Sequence, residues 1–113
     1  MDTLTAPGAG VAVAELTALE AAIRATEADC LADLARLVNI DCGSYTPAGV
    51  DEVGRFVAGF MTSAGARVEV RSDPAGTRGA TVIGTWDGEH GTAGGPRILL
   101  IGHMDTVFDP GTA

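Results

Sequence analysis

His103 and Asp105 stand one residue apart in Gly102-His103-Met104-Asp105, at the end of an uninterrupted apolar run, Ile98 to Ile101. In an extended chain residues i and i+2 project to the same side, so the imidazole and the carboxylate are expected to lie next to each other while Met104 points away. That adjacency suits a metal centre. A carboxylate that accepts the Nδ1 proton of an imidazole fixes the tautomer and leaves Nε2 to bind a cation, at about 2.0–2.1 Å if the metal is zinc. In open α/β sheets ligands collect beyond the carboxyl ends of the strands, which is where this pair falls. By spacing alone a His-x-Asp pair is weak evidence, because a histidine at a strand end is often simply hydrogen-bonded in place.

The elements that must position the pair follow from periodicity. Residues 1–11 contain Pro7, Gly8 and Gly10 and read as a flexible N-terminal arm, and residues 12–113 as one domain. From about Glu15 to Val38 apolar residues recur at three- and four-residue steps, which predicts an amphipathic helix with a solvated charged face. Thr46 followed by Pro47 predicts an N-cap and first helical position. Val50, Val53, Val57, Phe60, Met61 and Ala64 form the stripe of that second helix, with Phe60 and Met61 read as core, and Gly65 is placed to stop it.

The period then changes to two. Arg67-Val68-Glu69-Val70-Arg71 alternates as a strand with one wet face. Asp73-Pro74-Ala75-Gly76 reads as a turn, residues 80–86 as a second strand and residues 87–96 as a Gly-rich loop. The four aliphatics Ile98 to Ile101 predict a third strand covered on both faces, as in the middle of an α/β sheet. The expected fold is therefore α/β: two N-terminal helices packed on a mixed sheet. Three strands leave open edges, which suggests the incomplete front half of a larger domain.

Composition narrows the function. Seven basic residues, all arginine, face 15 acidic ones, for a formal charge of −8. Such a surface repels phosphate backbones and anionic lipid, so neither nucleic acid nor a membrane surface is an expected partner. The lack of lysine removes Schiff-base and P-loop chemistry. The two cysteines, Cys30 and Cys42, have no Cys-x-x-Cys spacing and read as buried unpaired thiols in a reducing cytoplasm. Asp2 stands where a signal peptide would carry a basic residue, which disfavours export, and no apolar run approaches the ~18 residues of a membrane span.

The string ILLIGHMDTVF resembles the first metal motif of the two-zinc metallopeptidase and aminoacylase family, which includes carboxypeptidase G, glutamate carboxypeptidases, acetylornithine deacetylase and succinyl-diaminopimelate desuccinylase. The upstream segment LARLVNIDCGSYTPAGVDEVGRFVAGFMTSAGARVEV is similar to that family's N-terminal region, and the two together cover about residues 31 to 113. HMDTVF is most similar to the glutamate carboxypeptidase branch; the two biosynthetic deacylases more often show a His-Thr-Asp version.

The resemblance implies that His103 is a ligand of one zinc and that Asp105 is the active-site aspartate that contacts and orients it. It implies a zinc-exopeptidase-like catalytic domain holding two zinc ions, a small peptide or N-acyl amino acid as substrate, and metal-assisted hydrolysis of an amide bond to a terminal amino acid, glutamate in the closest branch. In the full-length family the resemblance implies that zinc would polarise the scissile carbonyl and lower the pKa of a bound water, with a glutamate to take its proton. A homodimer is implied only for the full-length protein.

The family also requires a bridging aspartate in an Asp-x-Lys motif, a Glu pair, a further acidic ligand and a late histidine, and none follows Asp105, since only Thr106 to Ala113 remain. Asp109, in a Pro-Gly turn, reads as a loop residue, and His90, beside Glu89 in the Gly-rich loop, as a spectator. The chain is thus expected to be the N-terminal part of such a hydrolase, holding one partial site and inactive alone. Two other readings stand beside it: a non-catalytic interaction module that reuses this half-fold through an open strand edge, and a nucleotide-binding domain. IGHMD faintly resembles the Gly-His-x-Asp motif of GTPases, but the chain has neither Gly-Lys-Ser/Thr nor a Gly-x-Gly-x-x-Gly after a strand.

Overall fold

The computed structural model describes residues 12–88 and 96–112, in the order α1 (Val13–Ala25), α2 (Glu27–Leu37), α3 (Pro47–Ser63), β1 (Arg67–Arg71) and β2 (Thr81–Thr85). The expected N-terminal arm, His90, Glu89 and most of the Gly-rich loop lie outside the described residues. The chain divides into two units, Met1–Ala35 and Arg36–Ala113.

In the first unit the single helix expected from Glu15 to Val38 is interrupted. Thr26 is the reason. Its N–H bonds back to the Ile23 carbonyl (3.1 Å) and its hydroxyl donates to the same oxygen (2.8 Å), while its own carbonyl accepts the Cys30 N–H and starts the next helix. A threonine that satisfies an i−3 carbonyl competes with the regular helical ladder. At the start of α1 the Glu15 carboxylate accepts the Ala12 N–H at 3.0 Å; alanine has no side-chain acceptor, so only this half of a capping box exists. Glu20 and Arg24 pair one turn apart on the exposed surface. Cys30 is exposed rather than buried, because it lies on a helix that buries no residue.

The second unit is built on α3. Pro47 occupies its first turn after Thr46 at the N-cap, although the Thr46 hydroxyl makes no capping bond. At the other end Gly65 takes φ +86°, its N–H reaches the Thr62 carbonyl and the Ala66 N–H reaches the Met61 carbonyl, a complete Schellman motif. The Trp86 indole donates to the Ala64 carbonyl at 2.8 Å and closes the same helix end.

One face of α3 lies on both strands. β1 and β2 are antiparallel, with Val68 opposite Gly84 and Val70 opposite Val82. Gly84 gives room for the Met61 sulfur, and Gly54 for Val82 and Met104. The core is small: Cys42, Val50 and Val53 are buried, with Leu37, Ile40, Val57 and Met104 packed against them. Phe60, expected in the core, is 61% exposed, because the α3 surface that meets the strands turns away from it.

The mixed α/β character stands, but the sheet does not match the expectation. Among the described residues it is two-stranded and antiparallel, not mixed. Ile98 to Ile101 form no ladder among the described residues and are 80–89% exposed, rather than covered on both faces. Four consecutive aliphatics make a strand only where a neighbour supplies backbone partners and cover, and neither described strand reaches them.

Gly49 is where the helix start meets the preceding loop, since a Cβ there would run into the Asp41 carbonyl oxygen. Gly59, in the same helix, has nothing within 4 Å of that position. Gly49→Ala is expected to destabilise the protein by about 1–3 kcal/mol, whereas Gly59→Ala should stabilise it by about 0.5–1 kcal/mol. Urea melts check both through opposite shifts in midpoint at an unchanged slope.

Candidate metal-binding site

The site is assembled by a crossing of two chain segments. After α2 the chain turns through Asp41, Cys42, Gly43 and Ser44, and the C-terminal segment passes alongside it. Gly43 and Thr106 form a parallel bridge: the Thr106 N–H donates to the Cys42 carbonyl at 2.9 Å, and the Ser44 N–H donates to the Thr106 carbonyl at 3.1 Å. Gly43 is required by proximity, because a Cβ would come within 2.6 Å of the Phe108 carbonyl oxygen. Further along, the Asp41 carboxylate accepts the Gly111 N–H at 2.8 Å.

Alternation along the C-terminal segment then sorts its side chains. Met104 packs into the small core beside Gly54, and the residues on either side of it face outward. The structure brings His103 and Asp105 together as their spacing predicts. His103 Nδ1 lies 2.8 Å from the Asp105 backbone oxygen and 3.3 Å from its Oδ1. Both neighbours are acceptors, so Nδ1 carries the proton and Nε2 the lone pair. The His103 side chain is 82% exposed and that of Asp105 40%.

A third residue completes the cluster, and sequence reasoning gave it no role. The Ser44 hydroxyl donates to Asp105 Oδ2 at 2.5 Å across a sequence separation of 61. That bond is the main reason the Asp105 carboxyl sits below the ordinary carboxylate value, with His103 a smaller contributor and desolvation opposing. Ser44 is itself held: Arg78 Nη1 donates to its carbonyl at 3.2 Å, while the Arg78 guanidinium lies over the Tyr45 ring, 4.5 Å from its centroid. Ser44 stands inside the string that resembles the hydrolase family, but nothing in its neighbours announces a partner so far along the chain.

Asp109 is a loop residue, its carbonyl accepting the Thr112 hydroxyl at 2.6 Å. Asp51 and Asp73 are engaged in shape rather than ligation. Asp51 accepts the Ala80 N–H, and Asp73 accepts the N–H groups of Ala75, Thr77 and Arg78 around the turn whose Gly76 has φ +66°. Among the described residues no three His, Cys, Asp or Glu side chains gather as a metal cluster. The donor chemistry fits a single imidazole ligand with its orienting carboxylate.

Comparison of the chain with protein-family models, with curated proteins and with solved structures finds no match. No helix among the described residues is long and apolar enough to cross a membrane.

Asp105 and Asp73 both bind their protons more weakly in the folded chain than in the unfolded one, Asp105 through Ser44 first and Asp73 through the backbone N–H of Ala75 first. Their contribution to stability is therefore present above the ordinary carboxylate range, about pH 4, and is lost as pH falls through the depressed folded values. Chemical melts from about pH 7 down to about pH 2 should show that acid loss, and Asp73→Asn should flatten part of it.

Proposed function

We propose that this chain is the N-terminal part of a zinc-dependent hydrolase of the glutamate carboxypeptidase type, which cleaves an amide bond to a terminal amino acid. His103 is one zinc ligand and Asp105 the active-site residue that orients it. The observation that carries the reading is the hydrogen bond between His103 Nδ1 and the Asp105 backbone oxygen at 2.8 Å, with the carboxylate Oδ1 beside it at 3.3 Å, which assigns the lone pair to Nε2 on a largely exposed ring. Resemblance of ILLIGHMDTVF to the family's first metal motif supplies the reaction class and the substrate class, a small peptide or N-acyl amino acid.

Bound zinc would supply carbonyl polarisation and a water of lowered pKa. This chain's own contribution is narrower. His103 offers one nitrogen, Asp105 keeps the ring in one tautomer and orientation, and the Met104 anchor holds the pair at the surface of the α/β unit. Catalytic zinc takes about three protein ligands, so the 113-residue chain is assigned weak metal binding and no turnover. Under this reading the other ligands, the second zinc and the general base would be supplied by the rest of such a hydrolase.

The exposed aliphatic run Ile98–Ile101 favours a second reading, an interaction module whose extended edge pairs with another chain. Size-exclusion chromatography separates the two: a stable oligomer indifferent to zinc supports the module.

Calorimetric titration of zinc into the wild type and His103→Ala tests the first reading. The wild type should bind weakly and the variant at least about tenfold more weakly, with neither hydrolysing an N-acyl glutamate. Equal heats from both proteins would remove His103 as a ligand.

A further inference from the structure

The strongest unassigned feature of the molecule is the hydroxyl of Ser44. A carboxylate has two oxygens, and Asp105 divides them: Oδ2 receives the Ser44 hydroxyl at 2.5 Å, and Oδ1 lies 3.3 Å from the imidazole. The same hydroxyl lies 3.3 Å from the Thr106 carbonyl, but it has one proton, and the shorter, charge-assisted contact to Asp105 takes it. We infer that Ser44 is a positioning residue of the His103 site: by clamping Oδ2 it holds the Asp105 carboxylate with Oδ1 beside Nδ1, where it adds to the backbone carbonyl in fixing the proton on that nitrogen.

This role rests on the reading of His103 as a metal ligand, and it adds to that reading a residue from a different part of the chain. Ser44 is suited to it because its backbone is anchored independently of its hydroxyl. Its N–H is spent on the Thr106 carbonyl and its own carbonyl accepts Arg78. Thr106 meanwhile donates to the Cys42 carbonyl. The crossing of the two segments thus persists without the hydroxyl. What the hydroxyl adds is local to the Asp105 side chain, since a carboxylate lacking this donor can turn about its torsions and carry Oδ1 away from the ring. The depressed Asp105 pKa has the same origin, with Ser44 its largest cause.

The test is nitrogen-15 NMR of the His103 imidazole in the metal-free full chain, at a pH about two units above the ordinary imidazole value. In the wild type Nδ1–H is expected to dominate over Nε2–H. Ser44→Ala should lower the Nδ1–H to Nε2–H ratio about fivefold, the equivalent of one ordinary hydrogen bond, and Ser44→Thr, which keeps the hydroxyl, should restore it. Far-UV circular dichroism monitors the fold of each variant. An unchanged ratio in folded Ser44→Ala overturns the role. So does a wild-type ring protonated on Nε2, which decides the matter even if the alanine variant does not fold.

Zinc titration of the same samples separates this proposal from the one beneath it. Loss of zinc heat in His103→Ala with an unchanged tautomer in Ser44→Ala removes the positioning role and keeps the ligand. A tautomer shift in Ser44→Ala with equal zinc heats in wild type and His103→Ala keeps the clamp and removes the ligand.

Discussion

The crossing of residues 42–44 with Thr106 is the constraint on which the candidate site depends. Two backbone hydrogen bonds and a glycine that admits the Phe108 carbonyl fix where the C-terminal segment meets the rest of the fold. By themselves they are not enough. Each contributes about 1 kcal/mol net, whereas ordering the backbone costs about 1–2 kcal/mol per residue. The Met104 side chain supplies what they lack, entering the core beside Gly54 and the Val50–Val53 face of α3. Bridge and anchor act two residues apart, at Thr106 and Met104, so the stretch they hold is short, and it is the stretch that carries His103 and Asp105.

The same balance explains the aliphatic run just upstream. Ile98 to Ile101 have neither a ladder nor a packed face among the described residues, and exposing four large aliphatics to water is unfavourable by about 1.5–3 kcal/mol each relative to burial. A surface of this kind calls for a covering strand or helix. Both functional readings use that fact, the hydrolase through further chain and the interaction module through a partner. They part at His103, to which only the hydrolase reading gives a role.

Much of the local structure was legible in the sequence because it is decided locally. Pro47 and Gly65 bracket α3, the Val68 and Val70 alternation marks β1, and i and i+2 geometry brings His103 beside Asp105. Three features were not legible. Thr26 breaks the first helix through its own hydroxyl, a choice that competes narrowly with continuing the ladder. The aliphatic run reads as a covered strand because composition reports what a segment needs, not whether a neighbour is there to provide it. Ser44 is tied to Asp105 by a contact that exists only once the two segments cross, and no periodicity encodes it.

The division of labour on one imidazole ring is the claim that matters most. Following both His103 ring nitrogens by nitrogen-15 NMR as zinc is added to the wild-type chain tests it directly. The account predicts that the Nε2 resonance moves on metal binding while Nδ1 keeps its proton and its place beside Asp105. Zinc arriving at Nδ1, or bound zinc that leaves both nitrogens unperturbed, would contradict it.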